Sequence, residues 1–116
     1  ALVDYDLVGN AARFGHVNGA SGSTKPVVFV TGGTERLRIT GAGNLLPAAN
    51  NSYDLGSTAI RWRNIFTNDL NLSNKGSTNS VDNTWGDYTI EEGENDLFLI
   101  NNRSGKKFKF NLTEVS

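Results

Sequence analysis

His16 is the only histidine in the chain and the first residue to consider for catalysis. Acid–base or nucleophilic catalysis by histidine needs a partner side chain held within hydrogen-bonding distance. No serine of the chain stands in a nucleophile-elbow pattern, and the absence of cysteine excludes a thiolate nucleophile. We therefore predict that the protein is not an enzyme, that it has no catalytic residue and that His16 is a loop or interface residue.

Residues 91–96 form an acidic run whose carboxylate oxygens are suited to calcium. The run lacks the alternating carboxylate spacing of calcium-binding loops. Its clustering in one turn also does not suit the two carboxylates that flank a sugar in a glycosidase. Because charge runs usually mark exposed faces, we favour a solvated turn. We expect no metal site and no cofactor, and calcium binding at this turn stays the alternative.

The C-terminal part of the chain gathers basic side chains near two aromatic ones. They are Trp85, Tyr88, Arg103, Lys106, Lys107 and Lys109. Anionic cell-surface glycans would suit basic groups beside aromatic platforms. The alternative, which we favour, pairs the basic residues with Glu91, Glu92 and Glu94 across neighbouring strands and packs the aromatic rings in a core.

The charge balance argues against nucleic-acid binding. Eleven Lys and Arg residues stand against twelve Asp and Glu residues, a net charge of -1, so the attraction that drives binding to a phosphate backbone is missing. Arg61, Trp62 and Arg63 alone do not reverse this. No apolar run approaches the roughly 20 residues of a membrane span, and we expect no membrane insertion.

The composition indicates short strands joined by many turns. Hydrophobic residues make up 37% of the chain, and 13 glycines accompany many Asn, Ser and Thr residues. Without cysteine there is no disulfide framework. The chain starts at Ala1 rather than at methionine, and we expect Ala1 to begin a processed product or the ordered part of a longer chain.

A hairpin is predicted in the first half of the chain. Residues 26–31 are rich in β-branched and aromatic side chains, and residues 35–40 alternate Leu37 and Ile39 with arginines. Gly32 and Gly33 between them can supply the positive φ angles of a tight turn. Further along, Ser57 is predicted to cap one helical turn through Ile60 to Trp62.

Four segments follow from the pattern. Residues 1–25 are loop-rich, and residues 26–74 form a hairpin module that ends in a strand with apolar contacts from Ile65, Phe66, Leu70 and Leu72. Residues 75–83 are polar and predict a linker or a long exposed loop, where we place the boundary between two modules. Residues 84–116 predict an antiparallel meander with strands at 88–91, 96–101 and 106–112. The predicted fold class is therefore all-β.

The meander has too small an apolar face to fold alone. Each ordered residue costs about 1.5 kcal/mol of conformational entropy, which one small face cannot offset. A closed cyclic homo-oligomer would bring the same face of each copy together and would also protect the sheet edges.

Two stretches resemble signatures of bacteriophage tail-fibre and related virion proteins. The sequence TERLRIT of residues 34–40, with glycines and Asn44 after it, is similar to GTERMRIT-x-x-GN. The sequence YDLGS of residues 53–57, followed by RWRNIFT at 61–67, is similar to YDLGS-x-x-x-RWRNIYT-x-DL. The region from Trp85 to Val115 resembles the C-terminal segment of fibre-like structural proteins from marine phages. The likeness covers most of the chain from Phe29 onward.

The resemblance implies a structural component of a viral fibre that assembles as an intertwined homotrimer. Its partners would be copies of itself, other virion proteins and a host cell-surface glycan, and its location an extracellular tail or capsid fibre that contributes to host attachment. A trimer could also stack three copies of His16 around an axial ion. Many relatives carry a self-cleaving chaperone domain after the second element, and its replacement by a short meander here predicts no autoproteolysis.

The residues predicted to form the cores within and between subunits are Leu37, Ile39, Trp62, Ile65, Phe66, Leu97, Leu99, Phe108 and Phe110. The alternative function is a carbohydrate-binding adhesin tip that uses the basic and aromatic residues of the C-terminal module.

Overall fold

Nine short β-strands make up the regular structure of residues 3–6, 11–14 and 24–116, which the computed structural model describes. They are β1 Val3–Asp6, β2 Ala11–Phe14, β3 Val27–Thr31, β4 Thr34–Ile39, β5 Leu45–Pro47, β6 Leu70–Ser73, β7 Asp87–Glu92, β8 Leu97–Asn101 and β9 Lys107–Lys109. Every paired strand is antiparallel, and none of these residues is helical. The all-β prediction is confirmed.

The strands form three sheets in two compact units. The first unit, Ala1–Arg61, contains the β1–β2 hairpin and the sheet β3-β4-β5, and the second, Trp62–Ser116, contains the sheet β6-β7-β8-β9. The boundary predicted at residues 75–83 thus lies within the second unit, because β6 before that segment pairs with β7 after it. The hairpin β1–β2 lies in a region predicted to be loop-rich.

The predicted hairpin of the first unit is confirmed. Gly32 and Gly33 join β3 to β4 with φ angles of 57° and 77°, as a tight hairpin turn with two left-handed residues requires. The register pairs Val27 with Ile39 and Phe29 with Leu37, which places these four side chains on one face. Strand β5, which the sequence did not predict, extends the same sheet.

The predicted meander is confirmed as β7, β8 and β9, although β9 ends at Lys109 rather than at residue 112. Beyond it, Phe110 N still donates to Leu97 O over 3.0 Å. The turn between β8 and β9 places Gly105 at a φ of 76°. Strand β6 adds a fourth member to this sheet, so the meander is wider than the sequence indicated.

Two local predictions before β6 are wrong. Ile60 N donates to Ser57 Oγ over 3.0 Å, which is a capping contact. However, Ser57 N donates to Ile60 O over 2.8 Å, opposite to the direction of helical hydrogen bonds, and the chain turns without starting a helix. The predicted strand through Ile65 and Phe66 is also absent, since β6 begins only at Leu70.

No side chain of residues 24–116 is buried within the single chain. The large apolar side chains are exposed or half-buried, and the most exposed of them include Phe66 at 92% and Ile60 at 78%. Apolar burial is the main favourable contribution to folding. The described part of one chain therefore lacks the core that would ordinarily hold its sheets together.

Candidate functional site: an uncovered apolar sheet face

One face of the second unit's sheet is apolar across all four strands. The register places Leu70 beside Ile90, Ile90 beside Leu99 and Leu99 beside Phe108. Because alternate residues of a strand share a face, the residues two positions away from this row on each strand lie on the same face. We call it the apolar face, and its residues are Leu70, Leu72, Tyr88, Ile90, Leu97, Leu99 and Phe108.

The opposite face of the sheet is mainly polar and its polar groups bond to each other. Thr89 Oγ1 donates to Asn71 Oδ1 over 2.7 Å, and Asn102 Nδ2 donates to Thr89 Oγ1 and to Asp87 Oδ1 over 3.0 Å each. Side chains that satisfy one another in this way are suited to contact with water. The sheet is therefore amphipathic, and the apolar face is the one that needs a partner.

The apolar face is open to solvent in one chain. Leu70, Leu72 and Phe108 are 45%, 50% and 49% exposed, respectively. Full burial of a leucine or phenylalanine side chain contributes about 1.5–3 kcal/mol, and much of this is unrealised at each position. A surface that covers this face would stabilise the fold directly.

A second apolar feature precedes strand β6 in the chain. Residues 62–67, which we call the arm, contain Trp62, Ile65 and Phe66, with exposures of 64%, 72% and 92%. The arm belongs to no strand. Within the described part of the chain its backbone makes no hydrogen bond to other backbone groups. The arm thus leaves both its side chains and its backbone available to a partner.

Residues 74–86 form a closed loop, which is one of the two alternatives, linker or long exposed loop, that their polar composition predicted. Its ends meet because Gly86 N donates to Asn74 Oδ1 over 2.7 Å. Asn79 holds the interior: its Nδ2 donates to Asp82 Oδ1 over 2.7 Å, and its Oδ1 accepts from the amides of Val81 and Asp82. The hydrogen bonds of this one asparagine thereby order a polar segment that has no strand pairing of its own.

Asp82 is the ionisable group inside this loop's hydrogen-bond network. The side chains of Asn79 and then Thr84 donate to its carboxylate, and they lower its pKa below the usual value. On the β3–β4 hairpin, Arg38 forms a two-point ion pair with Glu35, which lowers the pKa of Glu35. Both groups lie at the surface, where such interactions shape local structure more than overall stability.

The structure brings only some of the predicted glycan-binding residues together. The Arg103 guanidinium lies 3.8 Å from the centre of the Trp85 ring and its Nη1 donates to Trp85 O over 2.9 Å. Arg103 therefore covers one face of this ring. Tyr88 lies on the apolar face, whereas Lys107 and Lys109 alternate with Phe108 and so belong to the opposite face.

The predicted cross-strand ion pairs are also absent among residues 24–116, where the single ion pair within 4 Å joins Arg38 to Glu35. The strand order gives the reason. Strand β8 lies between β7 and β9, and Phe98 on β8 stands between Glu91 and Lys109. The two charged residues are therefore separated by two strand spacings, about 10 Å.

The acidic run at residues 91–96 forms a turn closed by Gly93 N donating to Asp96 O over 2.8 Å. No three His, Cys, Asp or Glu side chains of the described residues are grouped to hold a metal ion. The same residues include no helix long and apolar enough to cross a membrane. His16, and with it the axial-ion alternative, lies outside the described residues.

The predicted core residues are placed on the two sheets and on the arm. Leu97, Leu99 and Phe110 are half-buried, Phe108 is exposed, and Trp62, Ile65 and Phe66 are the exposed residues of the arm. Leu37 and Ile39 share the apolar side of the first sheet. The list of predicted core residues lacked Leu70, Leu72, Tyr88 and Ile90, although their alternation with polar residues was an available signal.

Comparison with protein-family models finds no match, and comparisons with curated proteins and with solved structures find none either.

Proposed function

We propose that this protein is a structural component of a bacteriophage fibre, in which it assembles as a homotrimer and contributes to host attachment. The observation that carries the proposal is the absence of any buried side chain among residues 24–116, although the sheets β3-β4-β5 and β6-β7-β8-β9 each have an apolar face. Such a chain needs a permanent partner to bury those faces. The resemblance of residues 34–40 and 53–67 to tail-fibre signatures favours copies of itself as that partner.

The physical requirement behind the proposal is the offset of conformational entropy. Ordering each residue costs about 1.5 kcal/mol, and one chain buries too little apolar surface to compensate. In a cyclic assembly, each subunit covers faces of its neighbours, and sheet edges that would otherwise invite aggregation are shielded. Obligate assemblies of this kind have interfaces that resemble a domain core.

The alternative, a glycan-binding adhesin tip, has less support. It needs the Trp85 ring as a platform for a sugar, and Arg103 already covers one face of that ring at 3.8 Å. It also requires the lysines of β9 to act beside the aromatic residues, and they belong to the opposite face from Tyr88. Binding to host envelope material that is abolished by Lys107→Ala or Trp85→Ala would favour this alternative.

Light scattering coupled to size-exclusion chromatography tests the proposal. A single chain has a mass of 12.5 kDa, and we expect a stable particle of three times that mass at micromolar concentration. A folded, stable monomer would overturn the proposal, because it would show that the exposed apolar faces need no partner. A dimer would also overturn the trimer.

A further inference from the structure

The arm and the apolar face are complementary surfaces that one chain leaves separately exposed. The arm presents Trp62, Ile65 and Phe66 on a backbone with no regular pairing, and the face presents Leu70 and Leu72 without cover. Large aromatic side chains seated on an apolar surface are the usual anchors of protein interfaces. Each copy therefore carries both the anchoring residues, on the arm, and a surface that could bind them, the apolar face.

The charges around the two surfaces are also complementary. Arg63 lies between the apolar residues of the arm and has no ion pair within the described part of the chain. At one end of the apolar face, Glu92 is paired in register with Leu97, and the acidic turn at residues 91–96 follows. Its carboxylates likewise have no ion pair within residues 24–116. Opposite charges placed in this way set the orientation in which two surfaces meet.

We propose that the arm of one copy packs on the apolar face of a neighbouring copy, with Arg63 beside the neighbour's acidic turn. This inference rests on the proposed trimer and specifies the surfaces that hold it together. The contact is heterologous, because different surfaces of the two copies meet, and such contacts close into a ring when the rotation between copies allows it. In a ring of three copies, every arm and every face is occupied.

The chain has no cysteine, so single introduced cysteines can test this contact without background. Two copies with different affinity tags are co-expressed, one with Asn64→Cys on the arm and the other with Leu72→Cys on the apolar face. Asn71→Cys replaces Leu72→Cys in the matched control, since residue 71 is adjacent in β6 and points to the opposite face. A short bismaleimide cross-linker is added, and dimers that carry both tags are quantified.

We expect about tenfold more doubly tagged dimer with Leu72→Cys than with Asn71→Cys, because packing of arm on face raises the local concentration of the two thiols. Light scattering on each variant establishes whether it still forms trimers. Leu70→Cys, on the same face, replaces Leu72→Cys if the latter prevents assembly.

Trimers that cross-link equally well with both partners, or better with Asn71→Cys, would overturn the packing of arm on face and leave the fibre proposal intact. A cysteine-free parent chain that is monomeric would overturn both. Cross-linking therefore tests the packing of arm on face, and light scattering on the parent chain tests the proposed trimer.

Discussion

At the scale of single residues, Asp82 makes the stability of the closed loop at residues 74–86 depend on pH. Hydrogen bonds from Asn79 and Thr84 to its carboxylate lower its pKa in the folded loop. Its stabilising contribution is therefore present above the unfolded-chain pKa, about 3.9, and is lost as pH falls through the lower folded-state pKa. We expect the NMR amide signals of Val81 and Thr84 to shift towards unfolded values only below about pH 4.

Two substitutions separate this effect from general acid unfolding. Asp82→Asn should move the same amide signals at neutral pH, because the neutral oxygen of an amide accepts weaker hydrogen bonds than a carboxylate does. Asp54→Asn is the control, since no hydrogen bond or ion pair of the Asp54 side chain occurs within the described structure. Unchanged loop signals in Asp82→Asn would contradict the role of the carboxylate.

At the scale of elements, the β3–β4 hairpin depends on two glycines with positive φ. A Cβ added at Gly32 would meet no atom within 4 Å, so a substitution there is opposed by backbone strain alone. We expect Gly32→Val to lower the free energy of unfolding by about 1–2 kcal/mol. Gly32→Asn should cost much less, because asparagine tolerates the left-handed region. Urea unfolding at a fixed protein concentration measures both, and equal effects would contradict the argument.

At the scale of the whole molecule, the proposed assembly would couple folding to association, because it would bury apolar faces that one chain leaves uncovered. If unfolding requires dissociation, the melting temperature rises with protein concentration by mass action. We expect calorimetric scans at two concentrations about a hundredfold apart to give a clearly higher melting temperature for the more concentrated sample. The same melting temperature at both concentrations would mean that each chain is stable without a partner.

The confirmed predictions concern local structure that is specified by residues close together in the chain. The pair Gly32 and Gly33 marked the hairpin because few other residues accept positive φ, and the alternation around Phe108 marked β9. For residues 75–83, by contrast, the sequence left two alternatives open, a linker and a long exposed loop. A polar composition is shared by linkers and by closed loops, and only the position of Asn74 opposite Gly86 distinguishes them.

Alternation and local backbone preference in the sequence were enough to predict the β3–β4 hairpin, the strands β7 to β9 and the apolar side that each of these two regions carries. Only the tertiary structure shows which distant residues meet. Strand β6 pairs with β7 across the loop at residues 74–86, and Arg103 stacks on the ring of Trp85. Pairing between strands distant in the chain is a cooperative choice among many similar alternatives, and no single residue specifies it.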